Sequence, residues 1–110
     1  MPWPPPAADL VPYVKNVLAV MLSCGMYDYA GEWCWRVGLP AKSGVAGGLL
    51  AVVPGVLGIG IYSPPIDARG NCPRGVMACR ELSARFGLQC FAPAAERRDP
   101  RVEIAGARRR

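Results

Sequence analysis

The chain has 110 residues, 52% of them apolar, with 13 glycines, 12 prolines, five cysteines, no histidine and a formal charge of +5. That length allows one domain with a modest core, and the dense Val, Leu and Ile content excludes a disordered chain despite the Gly and Pro share. The missing histidine excludes Ser-His and Cys-His nucleophile pairs, and cysteines at 24, 34, 72, 79 and 90, without close-paired spacing, argue against a zinc site or any other metal.

Residues 1–9 read as a Pro-rich leader, extended and polyproline-like, with four prolines between Pro2 and Ala8. The start Met1-Pro2-Trp3-Pro4 has no basic segment followed by an apolar one, so reduced thiols in a cytoplasmic protein are expected rather than a disulfide framework. From Asp9, a suitable N-cap, Leu10, Val14, Val17, Leu18, Met21 and Leu22 recur at helical steps along one apolar stripe, and Gly25 marks the stop. Residues 26–33 mix aromatics and acids in a turn that leads into a brief helix ending near Arg36-Val37-Gly38.

After the breaker Leu39-Pro40, the run Lys42-Ser43-Gly44 reads as a strand. Residues 45–62 are apolar enough to raise the question of a membrane span. The central Pro54-Gly55 and the flanking β-branched residues favour an antiparallel hairpin instead, 46–53 against 56–62 around a type II turn. A last helix is expected over residues 73–86, opened by Asn71 or Cys72, closed by Gly87, with Val76, Cys79, Leu82 and Phe86 inward and Leu88 folding back. The result is an α+β arrangement, an antiparallel sheet with flanking helices. Residues 93–110 lose periodicity and read as a basic, disordered tail. Six arginines against three acids between Glu96 and Arg110 make it net +3. Without interleaved aromatics it reads as a solvated end, not a nucleic-acid or membrane-surface binder.

The chemistry gathers around Lys42-Ser43-Gly44-Val45. A lysine, a hydroxyl and a glycine on a strand suit the wall of an acyl-transfer site. Lys42 would either meet an anion or snorkel to the surface. The Val45 N–H would be either an oxyanion donor or an ordinary strand amide. Tyr27 is either a substrate-facing hydroxyl or a core aromatic. The nucleophile is missing. An activated serine needs a lysine one turn later, but Ser23, Ser43, Ser63 and Ser83 are followed three residues on by Met26, Ala46, Ile66 and Phe86.

Taken together, Met21-Leu22-Ser23-Cys24-Gly25-Met26-Tyr27-Asp28-Tyr29-Ala30-Gly31-Glu32, Arg36-Val37-Gly38-Leu39-Pro40-Ala41-Lys42-Ser43-Gly44-Val45, Tyr62-Ser63-Pro64-Pro65, Asp67-Ala68-Arg69-Gly70-Asn71 and Glu81-Leu82-Ser83 resemble the C-terminal part of the serine-dependent glutaminases. The resemblance covers residues 10–92. It implies part of a β-lactamase/transpeptidase-like domain acting on L-glutamine through an acyl-enzyme, with no cofactor, and a homo-oligomer in full-length members. Tyr27 and Lys42 would be catalytic, Tyr27 and Val45 would contact substrate, and the serine nucleophile would lie outside this chain. The sequence departs from the family at Ala46, where glycine is usual, at Trp35, where tyrosine is usual, and at Pro73. The resulting expectation is a glutaminase segment inactive by itself. The competing expectation is a non-catalytic binding or assembly module.

Overall fold

The computed structural model describes residues 9–108, so the leader expected over residues 1–9 lies, apart from Asp9, outside the described residues. The chain enters through a 3-10 turn, Val11–Tyr13, and continues into α1, Val14–Cys24. Pro12 fits that first turn because its fixed φ matches the helix and its missing N–H is not needed there. Asp9 does not cap α1 as expected. The 3-10 turn starts the helix, and neither Leu10 nor Tyr13 before it makes a side-chain cap bond.

Gly25 does end α1, but not through left-handed backbone, since its φ is −69°. Its requirement is closeness. A Cβ there would stand 1.7 Å from the Ala41 carbonyl oxygen, and the Gly25 carbonyl accepts the Ser43 N–H at 3.0 Å. The expected apolar stripe exists, yet α1 has no buried residue, and Val14, Val17 and Val20 are each at least half exposed.

A second 3-10 turn, Tyr27–Tyr29, leads into α2, Ala30–Arg36. This short helix anchors the core. Met26, Trp33, Val37 and Leu39 are wholly buried, and the Trp33 indole N–H donates to the Leu39 carbonyl at 2.7 Å. Burying one aromatic of this size removes about 150–250 Å² from water, roughly 4–6 kcal/mol of gross hydrophobic free energy. That outweighs the exposed Glu32–Arg36 ion pair on the other side of the helix.

Three antiparallel strands follow, β1 (Ala41–Ser43), β2 (Gly48–Val53) and β3 (Leu57–Tyr62), in the order β1-β2-β3. The expected turn is present, with the Val56 N–H bonded to the Val53 carbonyl at 2.9 Å and Gly55 at φ +74°. The apolar stretch over residues 45–62 is thus a hairpin, and no helix among the described residues is long and apolar enough to cross a membrane.

Register sorts the side chains. Ala41 pairs with Ala51, Ser43 with Leu49 and Ile61 with Leu49, all on the inner face. Lys42 pairs with Leu50, and Leu50 with Gly60, on the outer face.

Helix α3, Pro73–Phe86, covers the inner face. Cys72 precedes it in extended conformation, Pro73 opens it, and Gly87 closes it at φ +62°. Cys79 and Phe86 are buried, Val76 and Leu82 pack beside them, and Leu88 folds back as its N–H reaches the Ser83 carbonyl at 3.0 Å.

The expectation of a disordered tail needs correction. Past Phe91 there is a 3-10 turn, Ala94–Glu96, and then α4, Pro100–Arg108. Asp99 supplies what the apolar pattern did not. Its Oδ1 accepts the Arg101 N–H at 2.9 Å, and Pro100 opens the helix behind this cap. The Arg98 N–H also bonds the Phe86 carbonyl at 2.8 Å, which ties the segment to the end of α3.

Candidate active site

The edge strand β1 and the turn after α1 bring Tyr27 and Lys42 together. Lys42 Nζ lies 4.5 Å from the centre of the Tyr27 ring and 3.4 Å from its hydroxyl oxygen. The ammonium also donates to the Ser43 carbonyl, and the Tyr27 hydroxyl makes a long 3.5 Å contact to that same oxygen. Lys42 is exposed. The side chain leaves the sheet on its outer face, and no carboxylate among the described residues pairs with it. A ring face partly replaces the anion, a cation–π contact of about 0.5–1 kcal/mol at an exposed site. Tyr27 is not a core aromatic, being 43% exposed.

Val45 begins the β1–β2 turn, outside the strand, and is 72% exposed. The turn is closed by Gly44 N–H to the Gly48 carbonyl at 2.9 Å and Gly47 N–H to the Gly44 carbonyl at 3.0 Å. The Val45 N–H has no hydrogen-bond partner among the described residues. The methyl of Ala46, beside it, is exposed too. Along the outer face Lys42, Gly44, Gly48, Leu50, Gly60 and Tyr62 line an open groove of about 560 Å³. Glycines at 48 and 60, with nothing within 4 Å of a built Cβ, keep that groove low-walled.

Gly70 and Asn71 escaped the sequence reading, and the Ser43 hydroxyl expected on the wall of the site turns inward instead. Ser43, only 1% exposed, donates its hydroxyl to the Gly70 carbonyl at 3.1 Å. Gly70, at φ +89°, lies flat against the Tyr27 ring, where a Cβ would stand 3.2 Å from Cδ2 and Cε2. Asn71, buried, donates from Nδ2 to the Met26 carbonyl at 3.2 Å. The available signal was turn chemistry. The Asp67 Oδ1 accepts the N–H groups of Arg69 and Asn71 at 2.9 and 3.1 Å, the side-chain-to-backbone turn that an Asp three residues ahead of a Gly-Asn pair favours.

Away from the site, burial pushes the Cys79 thiol up to about 11, helped by nearby Cys72. Such a thiol is a packing group and not a nucleophile.

The glutaminase family profile matches residues 10–91. Among curated relatives, a glutaminase of Nostoc sp. is 58% identical over 79 residues, covering 72% of this chain and 24% of its own length. One from Microcystis aeruginosa is 55% identical over 94 residues, covering 86% of this chain and 28% of its own. The crystal structure of Mglu in its native form superposes with a TM-score of 0.68 at 54% identity, over 73% of this chain and 20% of that one. The Bacillus subtilis glutaminase YbgJ, solved as a covalent complex with 5-oxo-L-norleucine, gives 0.68 at 43% identity, over 70% and 29%. The chain spans about a quarter of the length of these two curated relatives. With 82 residues under the family profile, and an α+β fold shared with solved glutaminases, the chain belongs to the glutaminase family.

Proposed function

We propose that this chain supplies one wall of a site that hydrolyses L-glutamine to L-glutamate and ammonia, the serine nucleophile and its lysine coming from family sequence outside these residues. The observation that carries the reading is the pairing of the Tyr27 hydroxyl with the Lys42 ammonium on the edge of β1, just ahead of the unbonded Val45 N–H. In this reading Tyr27 exchanges a proton with the departing amide nitrogen, and Lys42 supplies positive charge beside its hydroxyl. The Val45 N–H donates to the oxygen that gains charge as the tetrahedral intermediate forms. Five unpaired cysteines support a reducing, cytoplasmic setting, and a homo-oligomer is expected for the whole family protein.

The test mixes the purified chain with a separately produced N-terminal glutaminase segment carrying the S-x-x-K nucleophile. Ammonia release is expected from the mixture and from neither part alone, with a loss of about 10²–10⁴-fold in Tyr27→Phe. A stable complex that releases no ammonia would overturn catalysis and favour a second reading, an assembly module. The exposed stripe of α1 supports that second reading.

A further inference from the structure

Tyr27 has φ +56°, in the left-handed region that other non-glycine residues among those described avoid. For an L-residue this backbone conformation is strained, so the neighbours must impose it. We propose that Asn71 is the positioning residue for Tyr27, its amide fixing the peptide that aims the phenol at Lys42. The proposal deepens the glutamine-hydrolysis reading and rests on it for the use to which the phenol is put.

The bond from Asn71 Nδ2 goes to the Met26 carbonyl, the acceptor of the peptide that links Met26 to Tyr27. Rotation about the Tyr27 φ bond turns the phenol relative to that peptide, so holding the carbonyl fixes one end of the strained torsion. The Met26 side chain is wholly buried, which fixes the residue behind it. Asn71 is itself held at the backbone. Its N–H donates to Asp67 Oδ1 at 3.1 Å and its carbonyl accepts the Asp67 N–H at 2.7 Å. The residue before it, Gly70, presses on the Tyr27 ring and is tethered to β1 by the Ser43 hydroxyl. One loop thus grips both the peptide and the ring of Tyr27.

Packing alone does not account for an asparagine here. Its Oδ1 is buried with no partner among the described residues, a penalty that an apolar side chain of similar size would avoid. The donor is what the position gains.

The test labels the full chain with 3-fluorotyrosine and follows ¹⁹F NMR, with Tyr27→Phe identifying one signal among the four tyrosines. Asn71→Asp keeps the shape and loses the donor while ionised. At pH 8 the Tyr27 signal is expected to move or split while those of exposed Tyr13 and Tyr62 stay in place. Burial raises the pKa of the introduced carboxyl, so acidification toward pH 5 protonates it. The new O–H then donates to Met26, and the signal returns toward its original position. Asn71→Ser, too short to reach Met26 and carrying no charge, covers the case in which the carboxylate unfolds the chain. It should displace the same signal without the return. A Tyr27 signal unmoved in a folded variant, or a displacement in Asn71→Asp that acid does not reverse, overturns the proposal. A chain that passes this test yet releases no ammonia with its complementary segment removes the glutamine reading and leaves the positioning role standing.

Discussion

The indole N–H of Trp33 donates to the Leu39 carbonyl over 2.7 Å, and neither residue has any exposure to solvent. The bond ties α2 to the segment that becomes β1 two residues later, so the strand bearing Lys42 starts from a fixed point.

Trp33→Phe keeps most of the apolar volume but strands the Leu39 carbonyl. Unfolding in urea should show a loss of about 1–3 kcal/mol, the cost of an unsatisfied buried acceptor. A loss below about 0.5 kcal/mol, the usual spread of inert surface changes, would mean that water or backbone relaxation replaces the bond.

Gly25 and Gly48 should separate cleanly under substitution by alanine. At Gly25 the added methyl meets the Ala41 carbonyl at 1.7 Å, whereas at Gly48 it meets nothing within 4 Å. Gly25→Ala is expected to cost about 1–3 kcal/mol or more, as overpacking does, and Gly48→Ala to stay within about 0.5 kcal/mol. Thermal melts of the pair decide it, and equal losses would contradict the close approach of α1 to β1.

Much of this fold was legible in the sequence because its punctuation is local. Pro54-Gly55 specifies its turn wherever it lies, and Gly87 with Leu88 closes α3 by the same kind of short-range rule. The α1 stripe was legible as periodicity, but periodicity says only that a face is apolar, and not whether anything covers it. The start of α4 was missed because Asp99-Pro100 is a capping signal without an apolar repeat behind it. At the site, Tyr27, Lys42 and Val45 were named from residue type and resemblance. Their supports Ser43, Gly70 and Asn71 act through carbonyls and contacts 27 to 45 residues apart in sequence, which no local pattern encodes.

Val17 and Val37 offer the matching contrast in burial. Val17 is 56% exposed on α1 and Val37 is wholly buried. Val17→Ser should leave stability within about 0.5 kcal/mol while reducing the binding of an apolar dye, and Val37→Ser should cost about 2 kcal/mol or more. Equal costs at the two positions would show that the α1 face is covered in solution.

Thiol labelling should follow burial. Cys24 is exposed and reacts first at pH 8. Cys79, pushed up to about 11, holds only about one thiolate in a thousand at that pH and stays unlabelled until the chain unfolds. Early modification of Cys79 would show local opening of α3.

The stability of α4 should depend on acid in one direction. The Arg101 side-chain hydrogen bond holds the Asp99 carboxyl below its ordinary value. A carboxyl depressed in the folded state contributes fully above its unfolded pKa of about 4, and its contribution fades as pH falls through the lowered value. Helical circular dichroism should therefore decline below about pH 4, and Asp99→Ala should remove that step. A step that persists in the variant must come from another carboxylate.

The Gly25 carbonyl carries the Ser43 N–H, and only Met26 stands between Gly25 and Tyr27. The helix with the bare apolar flank is therefore geared directly to both halves of the phenol–ammonium pair, one through the chain and one through a hydrogen bond. A body pressing along that flank would set the spacing of Tyr27 and Lys42 without touching either. The end of α1 thus carries a tether to each side of the site edge.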